Sequence, residues 1–269
     1  MKSGLLLHVL CANGMRKPIT ASRNHTFSGA CASSIGCRAG DELVLDVGCG
    51  TGRLTEKLLE RLPNGRALAV DQSVNMLDTA RRYLTPRFRA QIHFVLADAT
   101  ALPVAGRAHA LFSTATFHWV LDHPALFRSI HAALRPGGRL VAQCGGGPNL
   151  ERLHARCDCL VRERAFAAYF AEWREPWNFA DAETTARRLS DAGFVDIVTS
   201  VEPSPVIQPD AAAYREFVAN VICRPFLARL PDEKLRDRFM DALTTKAAGD
   251  MPAFELDYWR LNMEARRPR

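Results

Sequence analysis

No apolar run in the 269 residues approaches the ~20 that a bilayer-spanning helix requires. That absence excludes a spanning helix, and no membrane partner is expected. Acidic residues are missing from positions 1–40, where Lys2, Arg16, Lys17, Arg23 and Arg38 supply five of the six net positive charges. The body of the chain is therefore close to neutral. A surface that tracks nucleic-acid phosphates should be basic on the folded body, so no nucleic-acid partner is expected. Internal repeats and low-complexity tracts are absent too. With 48% hydrophobic and 24% charged residues, the composition is that of an ordinary soluble protein and excludes disorder over the whole length.

The eight cysteines lack the regular spacing of a disulfide framework. In a chain with a substantial core they read as reduced thiols, which points to the cytoplasm. Cys157-x-Cys159 is the only tight pair, and it falls in a helical pattern where i and i+2 face different sides. No metal site is expected. Residues 1–40 show neither a 3.6 nor a 2.0 period. Their Leu5-Leu6-Leu7-His8-Val9-Leu10 stretch resembles a short signal core, but His8 interrupts it and no convincing cleavage site follows. This part is read as a poorly ordered extension, and 41–269 as one domain.

From Asp41 short apolar runs alternate with amphipathic stretches. Leu43–Val47 reads as a buried strand, and Arg53–Leu62 as a helix with leucines at 54, 58, 59 and 62. Ala67–Val70 is the next strand, and Ser73 an N-cap for a helix running through Met76, Leu77, Ala80 and Leu84. Strands follow at Ile92–Ala97, Ala108–Ser113 and Arg139–Cys144, with a helix at Pro124–Leu134 before Arg135-Pro136-Gly137-Gly138. Repeated strand–helix–strand order predicts a parallel sheet covered on both faces, with the ligand outside its carboxyl ends. Further on, a β stretch at Val195–Ser200 and a terminal strand near Tyr258–Ala265 enclose a helical block at about 210–248.

The first strand runs into Asp46-Val47-Gly48-Cys49-Gly50-Thr51-Gly52. Glycines there permit a sharp turn and the close approach of a ligand. The dinucleotide pattern G-x-G-x-x-G would need glycine where Arg53 stands, and the Gly-Lys-Ser/Thr of a P-loop is absent. Carboxylates mark the ends of successive strands. Asp71 ends the second, where an acid can accept both hydroxyls of a ribose. Asp98 follows the third, where an adenine amino group could be received. Asp46 beneath the loop could orient an ammonium.

Taken in order, D-V-G-C-G-T-G, A-V-D-Q-S, L-A-D-A-T-A-L-P and L-R-P-G-G resemble class I S-adenosylmethionine-dependent methyltransferases over residues 41–145. The resemblance implies a Rossmann-like α/β fold: a mainly parallel sheet, an antiparallel C-terminal strand and an inserted helical cap at about 210–248. It implies S-adenosyl-L-methionine as cofactor, cradled by Gly48, Gly50 and Gly52, with the ribose diol on Asp71 and Gln72 beside the adenine. Asp98 and the Ala99 amide would meet the adenine ring, and Asp46, Cys49 and Ser113 complete the expected cofactor site. The F-H-W-V-L-D-H run is similar to that of small-molecule members acting on trans-aconitate or malonyl-carrier protein, so the partner expected is a small-molecule acceptor.

Methyl transfer requires alignment of acceptor, methyl and sulfur and exclusion of water, but no metal. A carboxylate acceptor needs no base, whereas an amine or phenol can need one. His118 is the candidate base, with packing beside Trp119 as its alternative role. Trp119, Arg229 and Tyr258 are the candidate substrate residues, although core packing or solvation would account for each. The helical block is expected to close on the acceptor as a cap. Two other readings are a cofactor-binding but inactive regulator and a nucleic-acid methyltransferase. Against the latter, Ser113-Thr114-Ala115-Thr116-Phe117 replaces the Asn/Asp-Pro-Pro-aromatic signature of base-amino enzymes. The purified protein should bind S-adenosylmethionine and S-adenosylhomocysteine but not NAD, and titration calorimetry with all three checks this.

Overall fold

The computed structural model describes residues 40–269. The extension and the signal-like stretch read from the sequence lie outside the described residues. Two compact units are formed. One comprises the described residues up to Gly146 with Trp177–Val201 and Leu261–Arg269; the other comprises Gly147–Pro176 and Glu202–Arg260.

In chain order the elements are β1 (Leu43–Val47), α1 (Arg53–Leu59), β2 (Arg66–Asp71), α2 (Val74–Phe88), β3 (Ile92–Leu96), β4 (Ala108–Thr114), α3 (His123–Ala133) and β5 (Leu134–Gly145). Then come α4 (Glu151–Val161), α5 (Ala182–Asp191), β6 (Val195–Pro203), β7 (Val206–Ile207), α6 (Ala211–Phe217), α7 (Arg224–Leu227), α8 (Glu233–Ala248), β8 (Glu255–Leu256) and β9 (Trp259–Arg266). Single 3-10 turns occupy Ala99–Ala101, Phe117–Trp119 and Ala167–Tyr169, and Val218–Ile222 forms a π turn.

Seven strands make one sheet in the order β3-β2-β1-β4-β5-β9-β6. The β1–β2, β2–β3, β1–β4 and β4–β5 pairs are parallel. Along β5 and β9, Arg139 meets Glu264 and Gln143 meets Asn262. One strand ascends while the other descends, so β9 runs antiparallel to β5. Asn262 with Ser200 and Arg266 with Asp196 give the same sense against β6. A mainly parallel sheet with one reversed strand near the C-terminus is the expected fold.

Alternation along each strand sends side chains to two cores. Val44, Ala110, Phe112 and Val141 join Leu58, Leu77 and Leu84 beneath α1 and α2. Leu45, Leu111, Leu140 and Ala142 join Phe127, Ile130 and Leu189 beneath α3 and α5. Ser73 caps α2 as expected, its hydroxyl accepting the Met76 amide. Arg135-Pro136-Gly137-Gly138 differs from its expected role as a mere stop. It opens β5, and Gly138 accepts the Arg267 amide at 2.9 Å. The Arg267 guanidinium meanwhile takes the carbonyls of His131 and Leu134 (3.1 and 2.6 Å), so the far end of the chain caps α3.

The helical unit is larger than the 210–248 block alone. Residues 147–176 supply α4, which packs with α8 and buries Leu153, Cys157 and Leu160. Arg156 grips Asp250 with both guanidinium nitrogens (3.0 and 2.5 Å), and Arg152 bonds Glu255 at 2.6 Å. A two-stranded antiparallel ribbon of β7 and β8, too short to leave a period in the sequence, completes the unit. Among the described residues no helix is long and apolar enough to cross a membrane.

Candidate active site

The strand order reverses between β1 and β4, and both their carboxyl ends open there. The chain leaves β1 through a loop folded over β2: the amides of Gly48 and Cys49 both donate to the Val70 carbonyl, at 2.8 and 3.0 Å. Gly48 has φ 77°, and a Cβ on it would lie 2.0 Å from the Thr116 hydroxyl. Only glycine fits there. Gly50 has φ 54°, but a Cβ there would meet nothing within 4 Å. The loop thus packs tightly against the β4 end at one glycine and leaves open space at the next.

Asp71 ties this loop to β2. Its Oδ2 accepts the Gly50 amide at 3.0 Å and its Oδ1 the Ser73 amide at 2.9 Å. The carboxylate can accept about four hydrogen bonds in all, so beside these amides it keeps acceptor capacity for a ligand hydroxyl. Burial raises the Asp71 pKa, opposed by the amides of Ser73, Gly50 and Gln72. Asp46 is 2% exposed and accepts the Thr55 hydroxyl at 2.6 Å. Burial pushes its carboxyl up to about 7, against the lowering effect of the Thr55 bond and with the Asp71 charge adding to the rise. Two closely placed acids held above the ordinary carboxylate range suit a ligand that brings positive charge.

These groups line a cavity of about 730 Å³, within the range of small-molecule and cofactor sites. The structure brings Asp46, Gly48, Cys49, Gly50, Asp71, Gln72, Asp98 and Ala99 to it, together with Trp119. Asp98 caps the Ala99–Ala101 turn with one oxygen, which accepts the Thr100 amide and hydroxyl, both at 2.8 Å. Cys49 is buried, and desolvation followed by the charges of Asp46 and Asp71 raises its thiol far above the usual range. It stays protonated and is no nucleophile.

Five sequence-derived candidates are not on the cavity wall. Gly52 is buried under α2, where a Cβ would meet Leu84 at 2.8 Å. Ser113 is buried, and its hydroxyl donates to the Val47 carbonyl at 2.7 Å, joining β4 to β1. His118 accepts the Gly145 amide on Nδ1 at 3.2 Å, stacks on Phe179 at 5.6 Å and lies 5.3 Å from Trp119. The ring is held by the fold beside the cavity, with its Nδ1 engaged by the Gly145 amide. Arg229 and Tyr258 belong to the helical unit, where Arg229 covers the Trp173 ring at 5.7 Å and Arg260 covers the Tyr258 ring at 4.5 Å.

The sequence reading missed Leu54, Met76, Thr114, Thr116, Leu121 and Asp122, all of which line the cavity. Leu54 and Met76 carry a helical period that looks the same for core and wall. Leu121 had a usable signal, an apolar residue just before the helix-capping Asp122, which accepts the Ala125 amide at 2.8 Å. His123, the first residue of α3, is buried. Its Nε2–H donates to the Phe117 carbonyl at 3.1 Å and Arg188 donates to its Nδ1 at 2.8 Å. A carbonyl cannot donate, so the ring is the Nε2–H tautomer, in keeping with burial lowering its pKa.

Residues 44–138 match the methyltransferase domain family. The chain is 30% identical over 218 residues to a trans-aconitate 2-methyltransferase of Deinococcus radiodurans, covering 80% of this chain and 82% of that one. It is 34% identical over 197 residues to the enzyme of the same name from Variovorax paradoxus, covering 70% and 71%. The fold is similar to a phosphoethanolamine N-methyltransferase of Haemonchus contortus in complex with S-adenosylhomocysteine, with TM-score 0.59 and 19% identity. That match covers 91% of this chain and 53% of that one. The inactive-regulator and nucleic-acid readings find no support in these relatives.

Replacing Asp46 by Asn keeps an acceptor for Thr55 and removes a buried charge. Because the folded-state pKa of Asp46 lies above its ordinary value, the folded protein holds a proton that the unfolded chain loses between about pH 4 and 7. The wild type therefore loses stability as pH rises through that window, and Asp46→Asn does not. At pH 8 the ligand-free variant should melt several degrees higher, since ionising a carboxyl held near pH 7 costs on the order of 4 kcal/mol of stability. The gap should close towards pH 4 in calorimetric scans.

Proposed function

The chain belongs to the class I S-adenosylmethionine-dependent methyltransferases, and on that premise we propose that it methylates a carboxylate of a small polycarboxylic acid of the trans-aconitate type. The observation that carries this reading is the likeness, along most of the chain, to enzymes of that name. The cavity supports it. Its lining includes no histidine, the His118 Nδ1 is engaged by the Gly145 amide, and the lining carboxylates Asp46 and Asp71 are assigned below to the cofactor. An acceptor that is already an anion needs no base.

Bound S-adenosylmethionine would supply a methyl group on a positively charged sulfur. The residues present fit it: Asp71 keeps acceptor capacity for the ribose hydroxyls, Asp46 offers buried negative charge for the ammonium, and Gly50 leaves its Cβ space open. We assign Asp98, Ala99 and Gln72 to the adenine side and Trp119 to the acceptor side of the same cavity. The chain then acts by alignment and by excluding water, with no proton to move.

Incubation with methyl-labelled cofactor and trans-aconitate should give a base-labile methyl ester, while the fully esterified acid should take no label. Label found instead on an amine or phenol from a metabolite extract would replace this reading. Asp71→Ala should weaken cofactor binding by roughly tenfold or more, at ~1.4 kcal/mol per decade, with the far-ultraviolet dichroism unchanged. Equal affinity in the folded variant would reject the ribose assignment.

A further inference from the structure

Beyond the single turn Phe117–Trp119, the cavity wall Trp119-Val120-Leu121 has no regular structure of its own. It follows Ala115, whose φ of 54° is a left-handed conformation that costs a residue with a Cβ. Leu121 itself is 61% exposed. A stretch of this kind keeps one conformation only if outside partners offset its entropy. His123 holds it from one side through the Phe117 carbonyl.

The other hold comes from Trp177-Asn178-Phe179, in the same compact unit. The Asn178 amide N–H donates to the His118 carbonyl at 2.8 Å, and its side-chain Nδ2 donates to the Leu121 carbonyl at 3.0 Å. Both ends of the wall are thus gripped by one residue. The neighbouring rings reinforce it. Trp177 lies 5.9 Å from Trp119, Phe179 lies 5.6 Å from His118, and Trp177 and Phe179 stack at 6.2 Å. With His118 and Trp119 at 5.3 Å the four rings close a circuit, of which Trp119 lines the cavity.

We infer that Asn178 is a positioning residue for the acceptor: by holding the His118 and Leu121 carbonyls it sets the face that Trp119 turns to the cavity. The inference rests on the reading of Trp119 as the acceptor wall. The glycine loop and Asp71 are bonded to each other and to Val70 and Ser73, so the cofactor side does not depend on this clamp. The side chain's part is specific to a donor: the Leu121 carbonyl only accepts, and a carboxylate at 178 would repel it.

The test uses the full chain with Asn178→Ala, Asn178→Asp and, should these fold poorly, Phe179→Leu, which keeps the amide bonds and loosens the rings. Amide hydrogen exchange over residues 117–122, measured without acceptor, should rise at least about fivefold in each. The acceptor KM should rise roughly tenfold or more while cofactor Kd stays within about threefold, a change under ~1 kcal/mol. Unchanged exchange over 117–122 would overturn the clamp whatever the acceptor is, as would a cofactor affinity that falls in step with the acceptor's. If exchange rises but the wild type esterifies no carboxylic acid, the clamp stands and the acceptor reading falls.

Discussion

The contact between Gly48 and Thr116 is the constraint on which the site depends. It brings the loop after β1 against the bend after β4, the two segments that flank the switch point, at a distance no side chain at 48 could tolerate. Alongside it, the Gly50 amide bonds Asp71 at 3.0 Å and the Gly48 and Cys49 amides bond the Val70 carbonyl, which holds the loop over β2. Open space is left at Gly50, and the cavity follows from these two placements. Sheet order creates the opening, and the glycine loop shapes it.

Electrostatics shows the opposition of stability and binding that marks functional sites. Asp46 lies wholly inside the protein with one hydroxyl for a partner, and burial holds its carboxyl near neutrality. A core built for stability alone would place a neutral acceptor there. A buried acid that ionises near pH 7 offers a cationic ligand more than an exposed one does, since its charge is poorly solvated until the ligand arrives. The buried, protonated thiol of Cys49 fits the same surroundings, where two carboxylates disfavour another negative charge.

The parallel strands could be read from short apolar runs alternating with amphipathic stretches, because most of such a sheet is covered on both faces. Asp71, Asp98 and the glycines could be read because each follows directly from a strand end. His118 was legible only as a chemical type. Its position after β4 suits a base, but the ring turns towards Gly145 and Phe179, partners from a later strand and a later loop. The same holds for Ser113, whose hydroxyl is taken by the neighbouring strand. Arg229 and Tyr258 were legible only as residue types suited to an acidic acceptor or a pocket wall, and their surroundings lie in the helical unit.

Alone, the amino-acid order determined the strand–helix alternation, the glycine turn and the acids at three successive strand ends, since these depend on local period, backbone freedom and spacing along the chain. Tertiary structure alone decided which side chains of a given type face the cavity, that Asp46 titrates near neutrality, and that Asn178 grips a wall 57 residues before it. Those properties belong to pairs of residues distant in sequence. Desolvation and hydrogen-bond direction arise only when the sheet has set such residues side by side.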